Sequence, residues 1–146
     1  MVEMAILLSL LVVLFLGITE LGRALYFQHK LTKSAESAAR FAGRGYDAVN
    51  PDCTPGTNWD VVQAQAAQLA VYASSAGGTV AVVPGFEPAH VAFTLEQRAI
   101  PGAGTACIVH VDIDMPYQGL FGDVSPLLDL SLINLTASSE ERHVGE

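Results

Sequence analysis

The side chains that most often carry chemistry are scattered along this chain. Its four histidines are far apart, and no nucleophile elbow, phosphate-binding loop or metal-ligand helix accompanies them: His29, His90, His110 and His143. Asp112 and Asp114 alternate with His110, so on a strand the three would share one face and bind a cation only weakly. A solvated sheet face explains that pattern more simply. The sequence therefore predicts no catalytic residue, no cofactor and no metal site.

The two cysteines, Cys53 and Cys107, each lie in a neighbourhood rich in glycine and proline. No CxxC pair or nearby histidine supports a zinc site. A disulfide that ties a loop to a sheet is the favoured interpretation, and two buried free thiols are the alternative. Because disulfides persist in oxidising compartments, the pair favours an exported protein.

Three charged residues, Glu3, Glu20 and Arg23, border or interrupt an apolar N-terminal segment. The uncharged residues 4–19 would span about 24 Å as a helix, which is short of the roughly 30 Å hydrocarbon core of a membrane. The apolar character resumes up to Phe27, so the span is long enough if Glu20 and Arg23, three residues apart, are tolerated. Ionisable residues in such a segment usually face protein and not lipid. They indicate a helix that packs against other helices.

Two other interpretations of the N-terminus remain. A signal peptide would need a basic start and a small-residue cleavage site, which the sequence lacks, while a plain membrane anchor stays open. Four basic residues follow the span and none precedes it: Lys30, Lys33, Arg40 and Arg44. By the positive-inside rule, either the body is cytoplasmic or a basic leader is missing. With the cysteines, we expect an exported body and a sequence without its leader.

The helical pattern continues past the span to about residue 42, on a face of small or apolar residues: Leu31, Ala35, Ala38, Ala39 and Ala42. Glu36 and Arg40 are spaced as an i,i+4 ion pair. The run Gly43-Arg44-Gly45 is a fitting end, since glycine terminates helices readily. Gly17 and Gly22 are points at which the helix is weaker.

Beyond a loop at residues 46–56, Thr57 or Asn58 is expected to cap a second helix, with Trp59, Val62, Ala66, Leu69 and Ala73 on its apolar face. The periodicity then changes to two and predicts four strands, at Thr79–Val83, His90–Glu96, Ala106–Met115 and Leu130–Ala137. In the third strand, Cys107, Val109, Val111, Ile113 and Met115 share one face. The expected fold is α+β: a long hydrophobic helix (residues 1–45, with a membrane or filament-core segment at about 4–27) packed under a four-stranded antiparallel sheet of a globular head (residues 46–146).

Charge is divided unevenly between these two parts. Residues 1–45 carry five of the seven basic and three of the fifteen acidic residues, a net charge of +2. The head carries the other two basic residues against twelve acids, a net charge of −10. Because an acidic head repels phosphate backbones, nucleic acid is not expected as a partner.

Several stretches resemble TadE-like proteins, which are pseudopilins of tight-adherence pilus systems. At the N-terminus these are Val2-Glu3-Met4-Ala5, residues 17–26 (GITELGRALY), Leu31-Thr32 and residues 37–42 (SAARFA). Nearer the C-terminus they are residues 109–117, which end in Pro116-Tyr117, then Leu120, Ser125-Pro126-Leu127 and residues 135–138 (LTAS). The resemblance touches both ends of the chain.

The resemblance implies a pilin-like subunit of an extracellular filament, held first in the bacterial inner membrane and then assembled with copies of itself or other pilins. It implies a leader removed by a prepilin peptidase, and contact with the pilus assembly machinery. Glu3 matches in kind the acid that neutralises a neighbouring subunit's terminal amine, although it stands two positions early if Met1 is the mature start. Glu20, Arg23, Gly17 and Gly22 are the other expected assembly residues. A minor, assembly-priming pseudopilin and a non-polymerising membrane-anchored envelope binding protein are the alternatives.

Overall fold

The computed structural model describes residues 2–102, 104–119 and 133–144. Two α-helices come first, α1 (Val2–Gly43) and α2 (Trp59–Tyr72), followed by a 3-10 turn at Pro88–His90. Three strands complete the fold: β1 (Val91–Ile100), β2 (Gly104–Pro116) and β3 (Asn134–Arg142). The architecture is α+β, as predicted, with a long apolar helix, a second short helix and an antiparallel sheet.

Helix α1 is continuous over 42 residues, which corresponds to a length of about 63 Å. It ends at Gly43, as the sequence predicts. The predicted small-residue face of its second half is completely buried: Leu31, Ala35, Ala38, Ala39 and Ala42 are each 0% exposed. Alanine on this face lets the sheet and α2 approach the helix backbone closely.

The sheet has the order β1-β2-β3, and both pairs are antiparallel. The inward face of β2 is the predicted one, because Val109, Val111, Ile113 and Met115 are all buried in the core. Asp112 and Asp114 point to the opposite, exposed face.

Strand β3 runs alongside α1 in the same direction. The Gln28 side-chain amide donates to the Thr136 carbonyl, and further along the Val144 N–H donates to the Gly43 carbonyl at 3.0 Å. The sheet therefore has a base at the level of Gln28 and a top at the level of Gly43.

The sheet has three strands within the described residues, and the prediction of four was wrong in this respect. Residues 79–83 are irregular, although their alternating valines suggested a strand. The Val82 N–H donates to the Val71 carbonyl of α2 at 2.8 Å. The Val82 carbonyl accepts from Lys30 Nζ at 3.0 Å. Val83 is buried, so the segment packs as a loop. The last strand begins at Asn134, and residues 130–132 of the prediction lie outside the described residues.

Helix α2 and the loop before it cover another side of α1. The Trp59 ring meets Phe93 of β1 edge-on, with centroids 6.5 Å apart. Trp59, Val62 and Ala66 are buried as predicted, whereas Leu69 is only partly buried. Ala73 is exposed and caps the helix in a left-handed conformation.

The two cysteines form the expected disulfide. Cys53 of the loop and Cys107 of β2 have Cα atoms 5.3 Å apart and are separated by 54 positions in sequence. The bond attaches the loop at residues 46–56 to the sheet.

Candidate assembly site

The first part of α1 projects beyond the rest of the fold. We call residues 4–18 the stem. Its large apolar side chains are 38–70% exposed, with Leu16 at the lower end and Met4 at the upper end of that range. The described part of the chain offers the stem no core to pack into.

One helix among the described residues, within Ile6–Gly43, is long and apolar enough to cross a membrane by length and composition. Only 6% of its most apolar window is buried against the rest of the chain. A core helix of a soluble domain would be mostly covered, so this low value separates the stem from that class. The stem therefore leaves an apolar surface that the described part of the chain does not cover, which is consistent with a membrane-spanning helix.

Three of the predicted assembly residues are exposed on this helix. Glu3 lies in the first turn, where a carboxylate interacts favourably with the positive end of the helix dipole. A Cβ atom added to Gly17 or Gly22 would meet nothing within 4 Å. The glycines are five positions apart, which places them about 140° apart around the helix, so they do not form one groove.

The other two predicted residues, Glu20 and Arg23, lie where the stem meets the sheet. Glu20 is 8% exposed although it belongs to an apolar helix. The Tyr117 hydroxyl donates to its Oε1 atom at 2.7 Å. The Arg23 guanidinium lies 5.0 Å from the centroid of the Phe27 ring, and that ring is 6.4 Å from the ring of Tyr117. We call Glu20, Arg23, Phe27 and Tyr117 the Glu20 cluster.

The surroundings of Tyr117 in the Glu20 cluster change its pKa. Burial, and then the hydrogen bond to Glu20, raise the pKa of Tyr117 to about 12. The hydroxyl therefore stays protonated and donates at physiological pH. Its position is fixed at the base of the sheet, where the Tyr117 N–H donates to the Ile133 carbonyl at 2.9 Å.

Sequence reasoning identified the two charged members of this cluster but missed Tyr117 as their partner. Tyr117 is 97 positions from Glu20, and no local spacing links them. The available signal was a tyrosine directly after a strand whose inward face is apolar. The structure thus joins Glu20 and Arg23 to the head, while Glu3, Gly17 and Gly22 stay apart from them.

The exposed face of the sheet carries a second cluster. His110 Nε2 lies 2.7 Å from Glu96, and Arg98 contacts both Glu96 and Glu140, at 3.2 Å and 2.9 Å. The hydrogen bond with His110, and then the charge of Arg98, lower the pKa of Glu96. His110 therefore contacts carboxylates of β1 and β3 and not the aspartates of its own strand. Within the described residues, no group of three or more His, Cys, Asp or Glu side chains is arranged to hold a metal ion.

Comparison with known proteins gives one result for the N-terminal part. A family model described as TadE-like protein matches residues 1–40, which include the stem, Glu20 and Arg23. No curated protein and no solved structure gives a significant match. The TadE-like family is a structural, pilus-associated family and not an enzyme family. The match confirms the N-terminal part of the resemblance found in the sequence, over 40 of the 146 residues, and for that part it supports a TadE-like assignment.

Proposed function

We propose that the chain is a structural, pilin-like subunit of an extracellular pilus-type filament, assembled through its stem. The observation that carries the proposal is the stem itself. In a chain whose core lies elsewhere, between the second half of α1, α2 and the sheet, the stem leaves a continuous run of large apolar residues exposed. Such a run is unfavourable in water, so it needs lipid or copies of itself around it.

The stem would be surrounded by lipid in one state of the protein and by other stems in the next. Before assembly the stem lies in the bacterial inner membrane, and after assembly it lies among the stems of other subunits. Lipid tails are as apolar as leucine side chains, so the hydrophobic effect does not drive helices together inside a membrane. They associate there through close packing and polar contacts. Gly17 and Gly22, which have open space at their Cβ positions, supply places of close approach.

Glu20 and Arg23 have a different proposed role from the one first expected. Because Glu20 accepts a hydrogen bond from Tyr117 of the same chain, the pair supports a fixed attachment of the head to the stem. Subunits with a fixed angle between stem and head can repeat regularly, as a helical filament requires. We therefore assign Glu20 and Arg23 to the geometry of the subunit, and Glu3, Gly17 and Gly22 to contacts between subunits.

The filament proposal is tested by shearing cells and pelleting the released material. We expect the chain in the pellet and helical symmetry by electron microscopy. A chain that stays with detergent-extracted membranes and forms no fibre would be a membrane-anchored envelope protein instead. The pseudopilin type of the matching family favours a second candidate, a minor subunit that primes assembly. Trace amounts of the chain in filaments built of another pilin would identify that role.

The proposed role of Glu3 is to neutralise the terminal amine of a neighbouring stem, which would offset the cost of a carboxylate in an apolar environment. We expect Glu3→Gln to reduce the filament yield about tenfold or more, because loss of one buried ion pair exceeds the roughly 1.4 kcal/mol that corresponds to a factor of ten. The measurement is the amount of sheared, pelleted chain relative to total chain. Glu3→Asp retains the charge and is the matched control.

Glu3 makes no contact with the sheet or α2, so both variants should keep the disulfide and the wild-type unfolding midpoint. A normal filament yield from Glu3→Gln would show that the carboxylate only marks the membrane boundary. Processing by a prepilin peptidase and contact with the pilus assembly machinery follow from the same proposal and would be required before assembly.

A further inference from the structure

Two arginines at the top of α1 form no ion pair with any residue that the structure describes. Arg40 and Arg44 are exposed, and no carboxylate of the described residues lies within ion-pair distance of either. Glu36 forms its direct ion pair with Lys33, at 3.0 Å, and the predicted partner Arg40 interacts with Glu36 electrostatically beyond ion-pair distance. The top of the helix thus carries two positive charges outside ion-pair distance of the described carboxylates.

These arginines border an open groove of about 510 Å³ between α1 and α2. Its floor is apolar, with Phe41 and Val62, and Tyr46 at its rim is 75% exposed. Tyrosine and arginine around an apolar floor are the composition typical of protein interfaces. The groove therefore fits an acidic protein surface.

The same chain carries such a surface at the opposite end of its sheet. Asp112 and Asp114 are exposed on the outer face of β2, and neither forms an ion pair with a described residue. They border a shallow groove with Thr136 and Ser138 of β3. The other carboxylates of this face, Glu96 and Glu140, are already paired with Arg98 and His110.

The two surfaces are displaced along the helix axis. Asp114 is opposite Thr136 in the sheet register, and Thr136 contacts Gln28, so the aspartates lie near the base. Arg44 follows Gly43 at the top. The 16 residues from position 28 to position 44 correspond to about 24 Å along α1. A contact between the base of one subunit and the top of another joins different surfaces. Contacts of that kind generate rings when the rotation between subunits closes and open helical filaments when it does not, and they do not form two-fold symmetric dimers.

We propose that the groove bordered by Arg40, Arg44 and Tyr46 binds the Asp112–Asp114 surface of a second copy of this chain. The inference rests on the filament proposed above and names the contact between heads within it. The two arginines face the two aspartates, and Tyr46 covers the apolar floor at the junction.

Charge reversal tests this contact in the full chain expressed in cells. We expect Arg40→Glu with Arg44→Glu to lower the yield of pelleted filaments about tenfold or more, because like charges facing across an interface are strongly unfavourable. Asp112→Lys with Asp114→Lys should do the same. The four substitutions in one chain should restore filaments, since the pairing is then reversed but intact. Lys33→Glu reverses one charge on the same helix outside the groove and is the control for each single reversal, Arg40→Glu and Arg44→Glu.

A second measurement identifies the occupant of the groove. A photo-crosslinking amino acid at Tyr46 should capture the peptide that contains Asp112 and Asp114 of another copy. Capture of a different protein, or of no protein, would overturn the inference. So would normal filament yields from both reversed chains, or a failure of the four-substitution chain to assemble. If the wild-type chain forms no filament, the proposed function itself is wrong.

Discussion

The contact between Tyr117 and Glu20 links the head to α1 just beyond the end of the stem. A carboxylate that is 8% exposed loses most of its hydration, and a hydrogen bond from the tyrosine compensates part of that loss. Removal of the donor leaves the buried acceptor without this bond, which costs more than the net value of the bond itself. The contact therefore contributes to stability more than an exposed pair would.

Tyr117→Phe keeps the ring and removes only the hydroxyl. We expect it to lower the free energy of unfolding by about 1–3 kcal/mol, measured by denaturant unfolding of the detergent-solubilised full chain. Tyr26→Phe is the matched control, because Tyr26 lies on α1, is 55% exposed, and has its ring 4.8 Å from Lys30 Nζ. An equal loss in both variants would contradict the role assigned to the hydroxyl.

The raised pKa of Tyr117 gives a pH dependence with a definite sign. Its pKa is about 12 in the folded chain against about 10 when it is unfolded. The proton is bound more tightly in the folded state, so this contribution is fully present below pH 10 and is lost as the pH rises towards 12. The measurement is the unfolding midpoint between pH 9 and pH 12. The wild-type chain should lose more stability over this range than Tyr117→Phe, and parallel curves would refute the assignment.

The members of this cluster differ in how far the sequence predicts them. Glu20 and Arg23 are conspicuous because they interrupt an apolar helix, and the cost of charge in such a helix requires a partner. The identity of that partner depends on how a strand far away in sequence lies against α1. No local pattern carries this information, which is why Tyr117 was missed.

The secondary-structure elements also differ in how far the sequence predicts them. The helix face with four alanines was predictable because its period is strict over several turns, and each of those positions is wholly buried. The segment at residues 79–83 was wrongly predicted as a strand. Its short alternation of valines fits a strand, but the N–H group that a sheet neighbour would use donates to the carbonyl of Val71. Which neighbour takes a hydrogen-bonding group is decided by tertiary packing and not by local propensity.

The disulfide joins the loop at residues 46–56 to strand β2. A loop of 54 residues closed by a covalent bond gains about 4 kcal/mol in the chain-entropy account. We expect a chain with Cys53→Ser and Cys107→Ser to be less stable by roughly that amount, as measured by denaturant unfolding. Reduced wild-type chain is the control and should match the double variant.

Mass spectrometry of unreduced protein should also show the linked peptides. Two thiols that react with an alkylating reagent in the native protein would contradict the bond and, with it, an argument for export.

We expect the independently folding part of the molecule to begin at the Glu20 cluster and not at the end of its long helix. A chain that begins at Thr19 keeps Glu20, Arg23 and Phe27, whereas a chain that begins at Gln28 loses all three. We expect residues 19–146 to form a soluble monomer in analytical ultracentrifugation. We expect residues 28–146 to be less stable by about 3–5 kcal/mol, since removal of a buried phenylalanine alone has an effect of that size.

The comparison of the two truncated chains locates the boundary of the folded unit. Equal stability of the two chains would place the boundary C-terminal to Phe27, and the Glu20 cluster would then not contribute to folding. Filaments formed by either truncated chain would show that the stem is not the core of the assembly.

Strand β1 forms an edge of the sheet in the part of the chain that the structure describes. Exposed edges are templates for β-aggregation, and charged side chains on an edge strand discourage it. Glu96 and Arg98 occupy such positions on β1, and both are exposed. Crowded heads of this chain are thereby protected from fusing edge to edge into an amyloid-like sheet. In any assembly that these heads form, each subunit can stay separately folded and can dissociate again as a folded chain.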